Sequence, residues 1–151
     1  MLALVHAPDG CAVSIHRTYL ACDGHKAAVP SPKKLMSPAI PRATHGGAIR
    51  LYSAGKTLAV TEGIETGLAV HLFTGLPVWA AVCADGMARL IVPPEVSLVV
   101  ICADNDLAGL DAAKALAQRL LVAQEPRHVK ILTPDTPGAD WADVLQEVSY
   151  A

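Results

Sequence analysis

Five carboxylates fall where they could act together. Glu62 follows directly on the apolar run 57–61, and Asp104-Asn105-Asp106 follows the apolar run 97–102. Asp140 and Asp143 come after a third run, 128–132, and a turn containing Gly138. Hard cations such as Mg²⁺ take oxygen ligands and commonly share them with a phosphate. A Glu and two Asp at one edge meet that demand, and the chemistry they suit is phosphoryl transfer. Each acid alone has a plainer reading. Asp104 or Asp106 would serve as a helix cap, because carboxylates satisfy free N–H groups and oppose the helix dipole. Glu62 beside Gly63 emerges from an apolar strand, where a lone carboxylate needs a partner.

For these acids to converge, the runs before them must be parallel strands of one sheet, since ligands sit at the carboxyl ends of such strands. The order of signals fits. Residues 57–61, 78–82, 97–102 and 128–132 read as strands. Between and after them, 64–73, 87–90, 107–123 and 140–148 read as helix, with Gly75 as a stop and Leu107, Leu110, Leu116, Leu120 and Leu121 as the apolar side of the third. Strand and helix alternate, so the fold class is α/β, a Rossmann-like parallel sheet flanked by helices. Asp85-Gly86 follows the second strand and reads as a turn.

Residues 1–56 have a different texture. Residues 12–20 are rich in β formers, Asp23-Gly24 is a hairpin turn pair, and 27–29 would be the return strand. Pro30, Pro32, Pro38, Pro41 and Gly46-Gly47 mark 30–47 as a loop, and 48–52 is a short strand. This segment carries seven bases against two acids, while 57–151 carries five bases against twelve acids. The division predicts a small basic β-rich subdomain over 1–56 and the α/β domain over 57–151. Arg17, Lys33, Lys34 and Arg50 are its candidates for holding nucleic acid or nucleotide phosphates.

Composition excludes several classes. The 151 residues are 52% hydrophobic and 17% charged, which excludes disorder along the whole chain. No apolar run approaches the roughly 20 residues that span a bilayer. The N-terminus has no basic region ahead of its apolar residues, so a signal peptide is not expected and a cytoplasmic location is. Aromatics are only 4%, so base stacking is not a main device. None of the four cysteines forms a CxxC pair. Cys83 and Cys102 end apolar runs and are expected to be buried thiols. Cys11, His16, Cys22 and His25 lie close together, and the plainer reading is a hairpin without zinc.

Taken together, the motifs resemble a known family. Glu62-Gly63-Ile64-Glu65-Thr66 followed by Asp104-Asn105-Asp106-Leu107-Ala108-Gly109 is similar to the Toprim domain of primases, topoisomerases, nucleases and recombination proteins. The spacing of about forty residues, with the upstream 16–20, Lys26 and Lys33-Lys34-Leu35-Met36, resembles the primases of phages, plasmids and other mobile elements. The resemblance implies a Mg²⁺- or Mn²⁺-dependent nucleotidyltransferase that makes RNA primers on single-stranded DNA. It implies Glu62 for acid–base work or metal, Asp104 and Asp106 for the metal at the incoming triphosphate, and Asp140 as a further metal acid. Bacterial primases carry an Asp four residues after the motif Glu; here Thr66 stands there, with Glu65 one residue earlier. The implied partners are a single-stranded DNA template, nucleoside triphosphates and a replicative helicase or helicase domain, with no membrane. Two readings remain open beside it: a Toprim nuclease that cleaves phosphodiester bonds, and a non-catalytic DNA- or nucleotide-binding replication module.

Overall fold

The run Thr57-Leu58-Ala59-Val60-Thr61 is apolar on both of its faces, so it is stable only at the centre of a sheet covered on both sides. That is where it lies. The computed structural model of the chain describes residues 1–38 and 40–149. Residues 39, 150 and 151, at the expected linker and the C-terminal end, lie outside the described residues.

Strands β1 (Leu2–His6), β2 (Ala12–Thr18) and β3 (Lys33–Leu35) form an antiparallel sheet in that order. The larger sheet contains β4 (Ile49–Arg50), β5 (Thr57–Thr61), β6 (Val78–Ala80), β7 (Leu98–Cys102) and β8 (His128–Leu132). Its order is β4-β6-β5-β7-β8, parallel except for β4, which runs antiparallel along the edge of β6. The helices are α1 (Ile64–Thr74), α2 (Ala84–Arg89), α3 (Leu107–Leu121) and α4 (Trp141–Ser149).

Alternation along the strands assigns the two faces. Leu58, Val60, Val99 and Ile101 pack with Met87 of α2 and Leu116 of α3. Ala59, Val100 and Cys102 pack with Val70 of α1, and Trp141 of α4 closes over them. Leu58, Val60, Val99, Ile101 and Leu116 have essentially no solvent contact. Each such side chain contributes roughly 1.5–3 kcal/mol through burial.

The small sheet is pinned to the large one at two places. His6 and Ala48 exchange backbone hydrogen bonds of 2.9 and 3.0 Å, which joins the end of β1 to the start of β4. Val5 and Ala3 pack on Ile49, Ile64 and Ala80. The inner face of β1 and β2 therefore lies against the start of α1 and the end of β6.

Several details differ from the sequence reading. The Asp23-Gly24 turn is present, with Leu20 bridging Lys26, but 27–29 is not a strand, and the chain returns to β2 later, as β3. The alternating segment at β1 is a strand that sequence patterning did not mark. The buried side of α3 is Gly109, Ala112, Ala113, Leu116, Ala117 and Leu120; Leu107 and Leu121 are exposed. Cys102 is buried as expected, but Cys83 is exposed. Strand β6 stops at Ala80, so Cys83 becomes the N-cap of α2 and its Sγ accepts the Gly86 N–H.

Candidate active site

Parallel pairing of β5 with β7, and of β7 with β8, sets the carboxyl ends of all three strands at one edge. Glu62, Asp104 and Asp106 leave from that edge. The loop after β8 returns to it: Asn105 N donates to Ala139 O at 3.0 Å, and Gly138 N donates to Asn105 O at 2.7 Å. This pair of bonds brings Asp140 beside Asp104.

The charges feel one another. Burial pushes the Asp104 carboxyl up to about 6, with repulsion from Asp140, Glu62 and Asp106 adding to it and Lys33 opposing. Glu62 is also raised, first by burial, then by Asp106, against the pull of Lys33. Oδ1 of Asp104 is buried with no hydrogen-bond partner among the described residues. A buried acceptor of that kind normally has a partner, and a cation would supply one.

Asp106 and Asp140 also cap helices. Asp106 Oδ1 accepts the Gly109 N–H at 2.7 Å and caps α3. A side chain at Gly109 would put its Cβ 2.8 Å from the Asp104 carbonyl, so glycine lets α3 start this close to the acid loop. Asp140 Oδ1 accepts from Ala142 N and Asp143 N, and Asp143 Oδ2 accepts from Asp140 N, a reciprocal cap at α4. Among the described residues, no three His, Cys, Asp or Glu side chains are gathered tightly enough to hold one ion together. Mg²⁺ needs only one or two carboxylates when a substrate phosphate and waters complete its shell, so the donor set fits it.

The basic candidates separate. Lys33 reaches the acids: its Nζ is 3.1 Å from Glu65 Oε2, and its charge acts on Glu62 and Asp104. Lys34 does not. Lys33 pairs with Thr18 and Lys34 with Arg17, and paired residues share a face, so Arg17 and Lys34 point away from Lys33. Lys34 lies 6.0 Å from the Tyr19 ring on that outer side. Arg50 is held elsewhere: it donates to the Ala7 and Pro8 carbonyls, and its guanidinium lies 4.4 Å from the Trp79 ring centre.

Glu65, one residue before the family's acid position, and Lys26 of the upstream motif join the site, though neither was among the candidate site residues. Lys26 Nζ is 3.7 Å from Glu65 Oε1. Burial would raise the Glu65 carboxyl, but its own backbone N–H and the ion pairs to Lys33 and Lys26 outweigh that and hold it low. His16, buried beneath β3, is lowered by burial and then by Lys33, with Glu65 opposing. The signal for Glu65 was its helical position facing the basic segment, which needs the tertiary docking to be seen.

Replacing Lys33 by alanine should therefore move the Asp104 pKa further above about 6, because the nearest opposing cation is gone. The half-exposed ion pair itself is worth under ~1 kcal/mol, so the melting temperature should shift only slightly. Carboxyl-detected NMR titration of wild type and Lys33→Ala measures the first effect; thermal melts measure the second.

The sequence profile of the Toprim domain matches residues 57–151. The chain belongs to the Toprim family. Residues 1–51, ahead of the Toprim domain, match a domain of unknown function, DUF7146. No curated protein matches the chain. Solved structures with the same fold include the DnaG catalytic core, at 19% identity and TM-score 0.65, over 97% of this chain and 48% of that one. The primase fragment of the bacteriophage T7 primase-helicase gives 19% and 0.64, over 98% and 58%. A DnaG primase catalytic domain bound to single-stranded DNA gives 19% and 0.58, over 96% and 54%. The chain thus spans about half the length of the solved structures it matches. At this identity the shared property is the fold, and it extends through the small sheet as well as the Toprim domain. Among the described residues, no helix is long and apolar enough to cross a membrane.

Proposed function

We propose that the chain is the catalytic Toprim core of a DNA primase, joining ribonucleotides into RNA primers on single-stranded DNA. The observation that carries this reading is the buried Oδ1 of Asp104, which has no hydrogen-bond partner among the described residues and whose carboxyl is raised by burial and by the carboxylates around it. The fold shared with primase catalytic cores over nearly the whole chain supports it.

In this reading one or two of the carboxylates at this edge, Asp104 and Asp106 first, would hold Mg²⁺ or Mn²⁺ together with phosphate oxygens and water, with Glu62 and Asp140 beside them. Bound there, such a cation would supply charge neutralisation for the triphosphate and a lowered pKa for the attacking 3′-hydroxyl. The chain's own groups do the rest. Glu62, with its raised pKa, accepts the hydroxyl proton. Lys33 places an ammonium over the same edge and attracts the phosphates. Arg17 and Lys34, on the outer face of the small sheet, offer charge to the template backbone. A replicative helicase and a cytoplasmic location complete the proposal, in line with the primase-helicase match.

Calorimetric titration of Mn²⁺, with and without a nucleoside triphosphate, should show binding that needs the acids and is strengthened by the nucleotide. The Asp104→Ala, Asp106→Ala double variant should lose it, together with primer synthesis on single-stranded DNA. Primer synthesis that survives in that variant overturns the proposal. Metal-dependent strand cleavage without nucleotide incorporation assigns the same acids to a nuclease.

A further inference from the structure

One groove lies away from the acids. It measures about 400 Å³ and runs between the segment 90–92 and the end of α3. Leu90 and Val92 are buried beneath it, while Ile91 and Val122 stand beside it at 47 and 77% exposure. Scattered aliphatic side chains are ordinary on a surface, but these two share one concave lining with Arg119 and Arg127. The place is the amino-terminal edge of the parallel sheet. There α3 leads through 122–127 into β8, and His128 N donates to Ser97 O, just ahead of β7, at 2.9 Å. The length of β7, roughly 16 Å, separates the groove from the acid edge.

Both arginines are fixed by backbone carbonyls and lack a counter-charge. Arg119 Nη1 donates to the Ala88 and Leu90 carbonyls at 2.8 and 3.2 Å, which ties the end of α2 to α3. Arg127 donates to the Val96, Glu125 and Pro93 carbonyls at 3.2, 3.3 and 3.4 Å. Among the described residues neither guanidinium forms an ion pair. Only Nη1 of Arg119 is engaged, so its Nε–Nη2 edge remains open to a carboxylate, which such an edge holds by two parallel hydrogen bonds. Side chains anchored in this way have little freedom left to lose when a partner arrives.

We propose that this groove docks an acidic, aliphatic peptide segment of a partner protein, with an apolar side chain seated between Ile91 and Val122 and a carboxylate on Arg119. Charge complementarity selects this occupant: two unneutralised cations flank an aliphatic floor. A nucleic acid would find the cations but, among the described residues, no aromatic ring in the lining for its bases. The chain's own acidic helix, α4, is committed to the other face of the sheet, where Trp141 packs with Val70. A partner held at the amino edge leaves the acid edge open, so the groove suits a tether that keeps this domain beside its partner. The inference does not depend on the chemistry of the acids.

Fluorescence anisotropy of a labelled peptide, Gly-Asp-Glu-Ile-Leu-Asp-Glu, in EDTA and without nucleotide, tests the proposal. The peptide should bind with a Kd below about 100 μM, within the range of weak docking contacts. Its basic counterpart, Gly-Lys-Lys-Ile-Leu-Lys-Lys, should bind at least tenfold more weakly. Val122→Asp and Arg119→Glu should each weaken the acidic peptide at least tenfold, with thermal melts showing both variants folded; Val122→Asp leaves every arginine anchor in place. Lys114→Glu, an exposed change on the same helix but outside the lining, should alter binding by less than twofold. Asp104→Asn should bind the peptide as the wild type does, so a failure at the acids is told apart from a failure of the groove. Absence of binding up to ~1 mM peptide, equal weakening by Lys114→Glu, or affinity unchanged in folded Val122→Asp and Arg119→Glu would overturn the assignment. Displacement of the peptide by a single-stranded oligonucleotide would also overturn it, giving the groove to nucleic acid instead.

Discussion

Asp104→Asn should make the metal-free protein more stable at pH 8 while removing its activity. The Asp104 carboxyl is raised from 3.8 to about 6 by burial and by Asp140, Glu62 and Asp106. Above pH 6 the folded state carries an ionised group it disfavours, and the unfolded chain does not pay that penalty. As pH falls through 6 toward 4, the folded state takes up the proton first, so stability rises. Asparagine keeps the shape without the charge. Allowing for solvent at this partly open edge, it should add about 1–2 kcal/mol at pH 8, or roughly 3–6 °C in melting temperature. The gain should shrink as pH falls through 6, to a minor part at pH 4.5, and vanish only below about 3.8, where the carboxyl is protonated in both states. Mn²⁺ should stabilise the wild type and not the variant. Primer synthesis should fall by about 100-fold or more, as expected when a group acting on transition-state charge is lost. Melts at pH 8 and 4.5 in EDTA, and a primer assay, measure the three effects. A variant less stable than wild type at pH 8 would mean that Asp104 is not electrostatically strained.

Gly47→Ala should be strongly damaging. A Cβ at Gly47 would lie 2.3 Å from the His6 carbonyl oxygen and 3.2 Å from both His6 C and Thr44 O. All three are backbone atoms, so no flexible side chain can give way. His6 O is also the acceptor for Ala48 N in the bridge between the two sheets. The added methyl group must therefore separate β1 from β4, and Lys33 moves away from the acids with its sheet. The expected cost is about 3 kcal/mol, or roughly 6–12 °C. Gly55→Ala is the control, since its Cβ would meet only Thr57 O at 3.8 Å. It should change stability by no more than about 0.5 kcal/mol. Denaturant melts of both variants compare them, and primer synthesis should fall only in Gly47→Ala.

The acids were legible in the sequence because parallel strands point their carboxyl ends the same way, and Glu62 and Asp104 come at or just past the ends of two apolar runs. The central strands were legible because residues covered on both faces leave a continuous apolar run. What was hidden depended on register or on distant partners. Lys33 and Lys34 look equivalent until pairing with Thr18 and Arg17 sends them to opposite faces. Arg50 looks like a free phosphate ligand until Trp79 and two carbonyls claim it. Cys83 ends an apolar run, yet the strand has already stopped at Ala80. The α3 face was misjudged because four of its six buried residues are glycine or alanine, which lets the helix lie close to the sheet, while Leu107 and Leu121 face solvent. Strand β1 alternates too weakly to be marked without its partner.

The short strand β3 carries a tolerance of its own. A three-residue edge strand specifies its alignment poorly, and sliding by one residue inverts every side chain. Here the inversion would exchange Lys33 for Lys34 opposite Thr18, and Leu35 for Met36 opposite His16. Leucine and methionine substitute for each other at little cost. The doubled pattern Lys-Lys-Leu-Met therefore delivers an ammonium to Glu65 and an aliphatic side chain over His16 in either alignment. An error of assembly that would ruin most strands leaves this one chemically almost unchanged.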